Sequence, residues 1–433
     1  MTSTATWPQA SPAPAPDRPE HRVAFGALLV FTVILILAPQ SYWPVLASLR
    51  IALVTAVIAA GSYVVPRLLT RRPLSVSAPE IKLAGALGAW ALVSIPFSMW
   101  PGGSWSVFFG TFFKTLVIAW LLCNVVTTAA RLRRVALVLT LVAVPLSVGA
   151  FLQYTSGTFL VAPRGVSAAS RIKGYDAPLT SNPNDLALML NVIIPLTIAL
   201  AASPRPPLPR PVLGGIAALS AMGVIITFSR GGFLELAIVL ALCLWRLRGR
   251  LFLEVGLAVA AGLLATLPFL PSGYTKQLAT ITDTEADATG SAGERMRDMA
   301  AATQYALTHP LLGAGPGNSV LALNQVRGNT WRKVHNVYLE LAVELGLPGA
   351  ILFVVLLRSA VRSARRAREL ARAPGGDPEV AVLSDGIVVS LAAFVVGSIF
   401  HPISYHLYFY YLAALAVAAK AIARRAVPEE VLA

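Results

Sequence analysis

His335 and Asn336 stand at the head of a long apolar run, with Arg332 and Lys333 just before them. An imidazole titrates close to neutral pH, with an unperturbed pKa of about 6.5. Where a helix meets water, it can take a proton from a hydroxyl. Arg230 in S-R-G-G and Arg295 in G-E-R supply a second kind of chemistry. A guanidinium is planar, permanently charged and able to bind phosphate through two parallel hydrogen bonds. The glycines beside Arg230 let a bulky anionic group approach closely. Arg171, Lys173 and the S-N-P-N-D run at 181–185, with Asn184 inside it, add further cations and amides. Asn336 is placed to orient the imidazole or a substrate hydroxyl. Together these residues point to acid–base chemistry on an anionic, lipid-linked substrate. Each has a plainer reading alone: an interfacial helix start for His335, snorkelling to lipid phosphates for Arg230.

Other groups compete for attention. His309, His401 and His406 lie near apolar run ends, and His401 or His406 is an alternative base. Lys114 and Glu235 fall inside apolar runs, where charges face a cavity or a partner. Matching depth makes a Lys114–Glu235 pair conceivable. Glu340 and Glu344 lie five and nine residues after His335, so they do not share its helical face. Gly346 and Gly349 give a smooth flank for close approach of a helix or lipid. The G-A-G-P-G run at 313–317 lacks the Lys-Ser/Thr of a nucleotide loop, so a nucleotide site is rejected. No Asp-x-Asp pair stands in the outer segments, so no metal or other cofactor is expected.

These residues need a scaffold, and composition names it. Of 433 residues, 56% are hydrophobic and only 13% charged, and the mean hydropathy is +0.70. That is an all-α, polytopic membrane protein. The net charge of +15 sits largely as Arg in short connections, which reflects topology rather than nucleic-acid binding. Cys123 and Cys243 lie inside apolar runs and form no disulfide framework. About 12 spans are expected, near 23–38, up to 65, 82–99, up to 126, 135–153, 185–201, 212–228, 232–245, 251–270, 335–357, 382–399 and 407–423.

Every second connection is Arg-rich: 67–72, 131–134, 205–210, 246–250, 358–372 and the C-terminal end. The positive-inside rule puts these, with both termini, in the cytoplasm. The site residues then face outward. The expected organisation is a disordered cytoplasmic tail at 1–22, a membrane domain at 23–425 and a cytoplasmic tail at 426–433. Within it, 271–334 forms a long extracytoplasmic loop before the tenth span, with an amphipathic helix at 294–307 as a lid carrying Arg295.

Four motifs occur in order: G-Y-D-A-P-L-T-S-N-P-N-D-L-A at 174–187, S-R-G-G at 229–232, G-E-R through H-P-L-L-G-A-G-P-G-N at 293–318, and H-N-x-Y-L-E-x-x-x-E-x-G-x-x-G at 335–349. In these the chain resembles the O-antigen ligase and polymerase superfamily, membrane glycosyltransferases of the GT-C type, over most of 23–423. The resemblance implies a base at His335 and diphosphate-binding arginines at Arg230 and Arg295. It also implies a lipid-linked glycan donor on undecaprenyl diphosphate, a glycan or glycolipid acceptor, and a bacterial inner-membrane location with the site facing the periplasm. Ligase is favoured over repeat-unit polymerase of O-antigen or exopolysaccharide, because 335–349 looks like the ligase signature. A transporter or lipid flippase is the rival from another class. The family's aromatic residue soon after the Arg295 position is absent here, where Met296 and Met299 stand.

Overall fold

The computed structural model describes residues 19–159, 171–246, 256–257, 264 and 291–427. The regular structure of the described residues is helical, mostly α with short 3-10 and π turns, apart from one isolated bridge between Phe159 and Ile172. The first group of helices is α1 (Pro19–Leu37), α2 (Pro44–Ser48), α3 (Ile51–Leu69), α4 (Pro79–Ser94) and α5 (Pro101–Val107). A π-helical turn, Phe108–Phe112, leads into α6 (Phe113–Val125). Then come α7 (Ala129–Thr155), α8 (Pro183–Ala202), α9 (Arg210–Ile226) and α10 (Arg230–Arg246). The last group is α11 (Ser291–Thr308), α12 (Ser319–Arg327), α13 (Val337–Arg372), α14 (Pro378–Gly397) and α15 (Leu407–Ala426).

Among the described residues, eight helices are long and apolar enough to cross a membrane, and Arg22–Leu37 and Arg210–Ile226 are shorter apolar helices. The chain is therefore an all-α polytopic membrane protein. The span expected at 251–270 falls almost wholly outside the described residues, as do most of the two tails. Helix α1 already begins at Pro19, inside the expected N-terminal tail.

Burial ranks the helices. The apolar window of α8 is 89% buried, against 11% for α3, so α8 is central and α3 faces outward. Around α8 pack α7, α9, α10 and α14, while α15 packs on α6, α13 and α14. Lipid tails are as apolar as leucine, so close fit and interhelical hydrogen bonds must hold such a bundle. Thr140 and Thr197 share a 2.9 Å hydrogen bond, and the Ser390 hydroxyl donates to the Val192 carbonyl at 2.7 Å. Small residues admit close contact. A Cβ on Gly386 would lie 2.7 Å from the Ala199 Cβ and 3.0 Å from the Pro195 carbonyl oxygen.

One end of the bundle is rich in arginine. Asp385 on α14 accepts from Arg246, Arg368 and Arg372 at 3.2, 3.3 and 2.6 Å, and Arg133 pairs with Glu379 at 2.8 Å. The opposite end gathers the starts of α8, α10, α13 and α15. Local chemistry sets these starts. Asn182 caps α8, with Pro183 at its first turn, and Asn336 caps α13.

The helix contacts make a stability prediction. Gly386→Leu must displace α8 backbone and should cost about 1–3 kcal/mol. Gly215→Leu, with open space around its Cα, should change little. Thermal midpoints of the two purified variants in detergent, each against wild type, check this.

Candidate active site

The arginine site begins with Arg171. Its Nη2 donates to Asn184 Oδ1 at 2.8 Å and its Nε to the Thr227 carbonyl at 3.3 Å. Asn184 lies in the first turn of α8, and Thr227 ends α9. Burial lowers the Arg171 pKa to about 10, assisted by the charges of Arg295 and Arg230. It stays charged at neutral pH. Three guanidiniums from three separated stretches thus act on one place. The starts of α8 and α10 point there too, and a helix start carries partial positive charge that favours anions.

Arg230 is the first residue of α10, and Gly231 and Gly232 lie in its first turn. The chain turns at Phe228, with φ of 54°, and Ser229 Oγ accepts from Gly232 N at 3.1 Å to cap the helix. The two glycines are first-turn residues that let neighbours close in. A Cβ on Gly231 would lie 3.1 Å from the Phe400 ring, and one on Gly232 2.5 Å from Ala187 Cβ.

His335 is half-buried, and its Nδ1 lies 3.1 Å from the Lys333 carbonyl. A carbonyl only accepts, so Nδ1 carries the proton and Nε2 keeps its lone pair. Burial lowers the His335 pKa, and the Arg295 charge lowers it further. The flanking Arg332 pairs instead with Glu294 and Asp298. Arg295 therefore lies within electrostatic reach of both Arg171 and His335. Asn336 does not turn its carbonyl oxygen to the imidazole. Oδ1 accepts from Tyr338 N at 3.0 Å and Leu339 N at 3.1 Å, as the cap of α13.

Beneath these groups lies a contact set that sequence reading missed. His401 is 1% exposed, with Nδ1 3.2 Å from Asp185 Oδ1 and Nε2 3.4 Å from Glu235 Oε1. Glu235 Oε2 accepts from Asn191 Nδ2 at 3.1 Å. The expected Lys114–Glu235 pair does not form. Glu235 is taken by Asn191 and His401, while Lys114 is exposed on the bundle surface. Burial opposes charge on His401, but the hydrogen bond to Asp185 and the nearby Glu235 carboxylate outweigh it and raise its pKa to about 9. His401 is thus a cation at neutral pH and a poor base. His406 leads into α15, and burial lowers its pKa. His309 stacks on Tyr305 at the exposed end of α11, and Lys173 is also exposed. An intramembrane Glu and an acid in the first turn of a span were the available signals for this contact set.

The outer layer is fastened to α13. Ala301, Ala302 and Tyr305 of α11 pack with Ala314, Leu323, Val334 and Val343, and Met299 joins them where an aromatic residue was missed. Arg327 bonds Asp298, tying α12 to α11. The Gly346–Gly349 flank receives a loop rather than a helix. Gly346 has φ of 66° and kinks α13, and a Cβ there would overlap the Leu311 carbonyl. The G-A-G-P-G run does present an amide to an acidic group, but the group is internal. Glu344 accepts from Gly317 N at 2.6 Å and Ser319 N at 3.0 Å. Glu344→Ala should leave both amides unpaired, at about 1–3 kcal/mol each. Hydrogen exchange should then speed up across 310–320; unchanged protection there would contradict the assignment.

Residues 215–354 match a family model described as O-antigen ligase. No curated protein matches the chain. The matched segment holds Arg230, Glu235, Arg295, His335 and Asn336, whereas Arg171, Asn184, Asp185 and His401 lie outside it. A membrane bundle with a neutral imidazole beside clustered arginines agrees with that match. Over residues 215–354 the chain is thus similar to the O-antigen ligase family, and that match supports the O-antigen ligase and polymerase superfamily.

Proposed function

We propose that the protein transfers a glycan from a polyprenyl diphosphate to an acceptor sugar hydroxyl on the extracytoplasmic face of a bacterial inner membrane. The observation that carries this is electrostatic. Arg295 acts on both Arg171 and His335, so a cluster able to hold an anion adjoins a neutral imidazole. The arginine-rich opposite end supports a cytoplasmic position for that end, by the positive-inside rule. No nucleotide sugar is available outside the cytoplasm, so the sugar must arrive already activated on its lipid.

The chemistry then needs two supports. His335 Nε2 takes the proton of the acceptor hydroxyl as its oxygen attacks the anomeric carbon. The bond from that carbon to the diphosphate oxygen breaks, and the electron pair leaves with polyprenyl diphosphate. Arg230 and Arg295, with Arg171 held by Asn184, stabilise the charge that builds on the leaving group. One displacement inverts the anomeric configuration. The imidazolium then returns its proton to water. Asn336 Nδ2, the side-chain group its cap leaves over, is a donor for a sugar oxygen.

Ligase and polymerase share this machinery and differ in what accumulates when the gene is deleted. Long lipid-linked chains mark a ligase, the reading favoured here, and single repeats mark a polymerase.

The arginines give the first functional prediction. Arg230→Lys and Arg295→Lys should each lower transfer about a hundredfold, because a point charge does not replace a two-pronged donor. EDTA should leave wild-type transfer unchanged, since guanidiniums carry the charge. Near-normal rates in both lysine variants would remove the arginines from the diphosphate site.

His335 gives the second. His335→Ala should abolish transfer while lipid-linked donor still binds. The neutral imidazole is the active form, so kcat/KM should fall on the acid side with a midpoint below about 6.5. Bound diphosphate favours the imidazolium, so the acid limb of kcat should lie at higher pH than that of kcat/KM. A pH series of initial rates in detergent tests the order of the two limbs.

A further inference from the structure

The segment between α14 and α15 touches both halves of the site. Toward the base, the Ser398 carbonyl accepts the Val337 amide at 2.8 Å, at the first residue of α13. Ser404 donates to Glu340 Oε2 from its amide at 3.1 Å and from its hydroxyl at 2.5 Å. Toward the arginines, His401 reaches Asp185 and Glu235. Asp185 follows Asn184, which holds Arg171, and Glu235 lies five residues after Arg230 on α10.

The fold makes room for this contact. A Cβ on Gly397 would lie 2.9 Å from Glu235 Oε1 and 2.6 Å from a Leu188 methyl group, so α14 approaches the carboxylate only as glycine. Asp185 Oδ2 is taken by Asn182, the cap of α8, which fixes the carboxylate to the helix start. Glu235 is 0% exposed and His401 1%. Two carboxylates in such a place need a cation between them, because an unpaired buried charge is strongly destabilising.

We infer that His401 is a positioning residue: its imidazolium, bridging Asp185 and Glu235, tethers the segment that carries the base helix to the two helix starts that carry the arginine cluster. The tether acts through the Nδ1 hydrogen bond to Asp185 and the 3.4 Å charge contact of Nε2 with Glu235, and both ring nitrogens face carboxylates in a buried place. Its role rests on reading His335 as the base, but its geometry does not. The charged and titratable groups around it are Asp185 on α8, Glu235 and Arg230 on α10, His335 before α13, and His406 in its own segment. With His401 neutral, the two carboxylates lose their counter-charge and the two halves of the site should drift apart. Its pKa of about 9 places that loss on the alkaline side.

The test reads distance rather than activity. Spin labels are attached at Ser181→Cys, beside α8, and Trp331→Cys, before α13, both exposed positions. Cys123 and Cys243, both buried, are replaced by alanine. Double electron–electron resonance at pH 7 should give a narrow distance distribution in this background and in His401→Lys, and a broad one in His401→Gln. Raising the pH past about 9 should broaden the distribution when His401 is present and leave His401→Lys narrow. Transfer by His401→Gln should fall about a hundredfold, the effect of an ångström-scale misplacement, and His401→Lys should recover most of it. A narrow distribution in His401→Gln overturns the tether. If that variant also transfers normally, His401 is an inert buried group; if it fails to transfer, His401 has a chemical role of its own. Should His401→Gln fail to insert, the pH series decides: distances unchanged well above pH 9 overturn the inference. If the wild-type protein transfers no glycan from a polyprenyl diphosphate, the functional reading fails while the distance data still judge the tether.

Discussion

Like charges held together at the end of a membrane bundle are the constraint on which the rest of this structure depends. Arg171, Arg230 and Arg295 repel one another, and Arg171 is also taken from water. Its lowered pKa records both effects. Such a cluster persists only where opposing groups are built in close by. Here Asn184 and the Thr227 carbonyl receive Arg171, and the Asp185–His401–Glu235 contact adds two carboxylates against one imidazolium. On the proposed reading, the diphosphate of the donor would complete the charge balance.

The same charges decide which histidine does what. His335 is pushed toward the neutral form by burial and Arg295, whereas His401 is held charged by two carboxylates. Two imidazoles under one roof thus have separate roles because their neighbours differ in sign. Pairs of titratable groups driven apart in this way are a mark of acid–base sites. On the proposed reading this favours His335 over His401 as the base, because two carboxylates hold His401 protonated.

Long-range positioning falls to α13. Its first turns carry the outer layer through the Gly346 kink and the Glu344 carboxylate, and its middle packs into the bundle against α14 and α15. Arg295 rides on α11, which is fastened to that outer layer by Asp298 and a small apolar core. Movement of α11 relative to α13 would therefore change the distance between Arg295 and His335. Glu344 spends its oxygens on holding the loop beneath α11, which explains a buried acid with no part in the transfer chemistry.

Much of this was legible in the chain itself. Apolar runs and arginine-rich connections determined an all-α membrane bundle, because partitioning into a bilayer sums over residues that are neighbours in sequence. The amphipathic pattern at 294–307 marked the core of α11. Residue chemistry made His335, Arg230 and Arg295 candidates, and the ordered motifs that resemble the O-antigen ligase and polymerase superfamily selected them over plainer readings. The partners were not legible. Lys114 and Glu235 match in depth yet do not meet, Asn336 serves its own helix, and Gly231 and Gly232 lie against Phe400 and Ala187. Asp185, Glu235 and His401 come from three stretches of the chain, and nothing in their local sequence states that they touch. Depth in a membrane is a property of one segment. Contact between charges depends on which helix faces lie against each other, and that is decided only when the whole bundle packs.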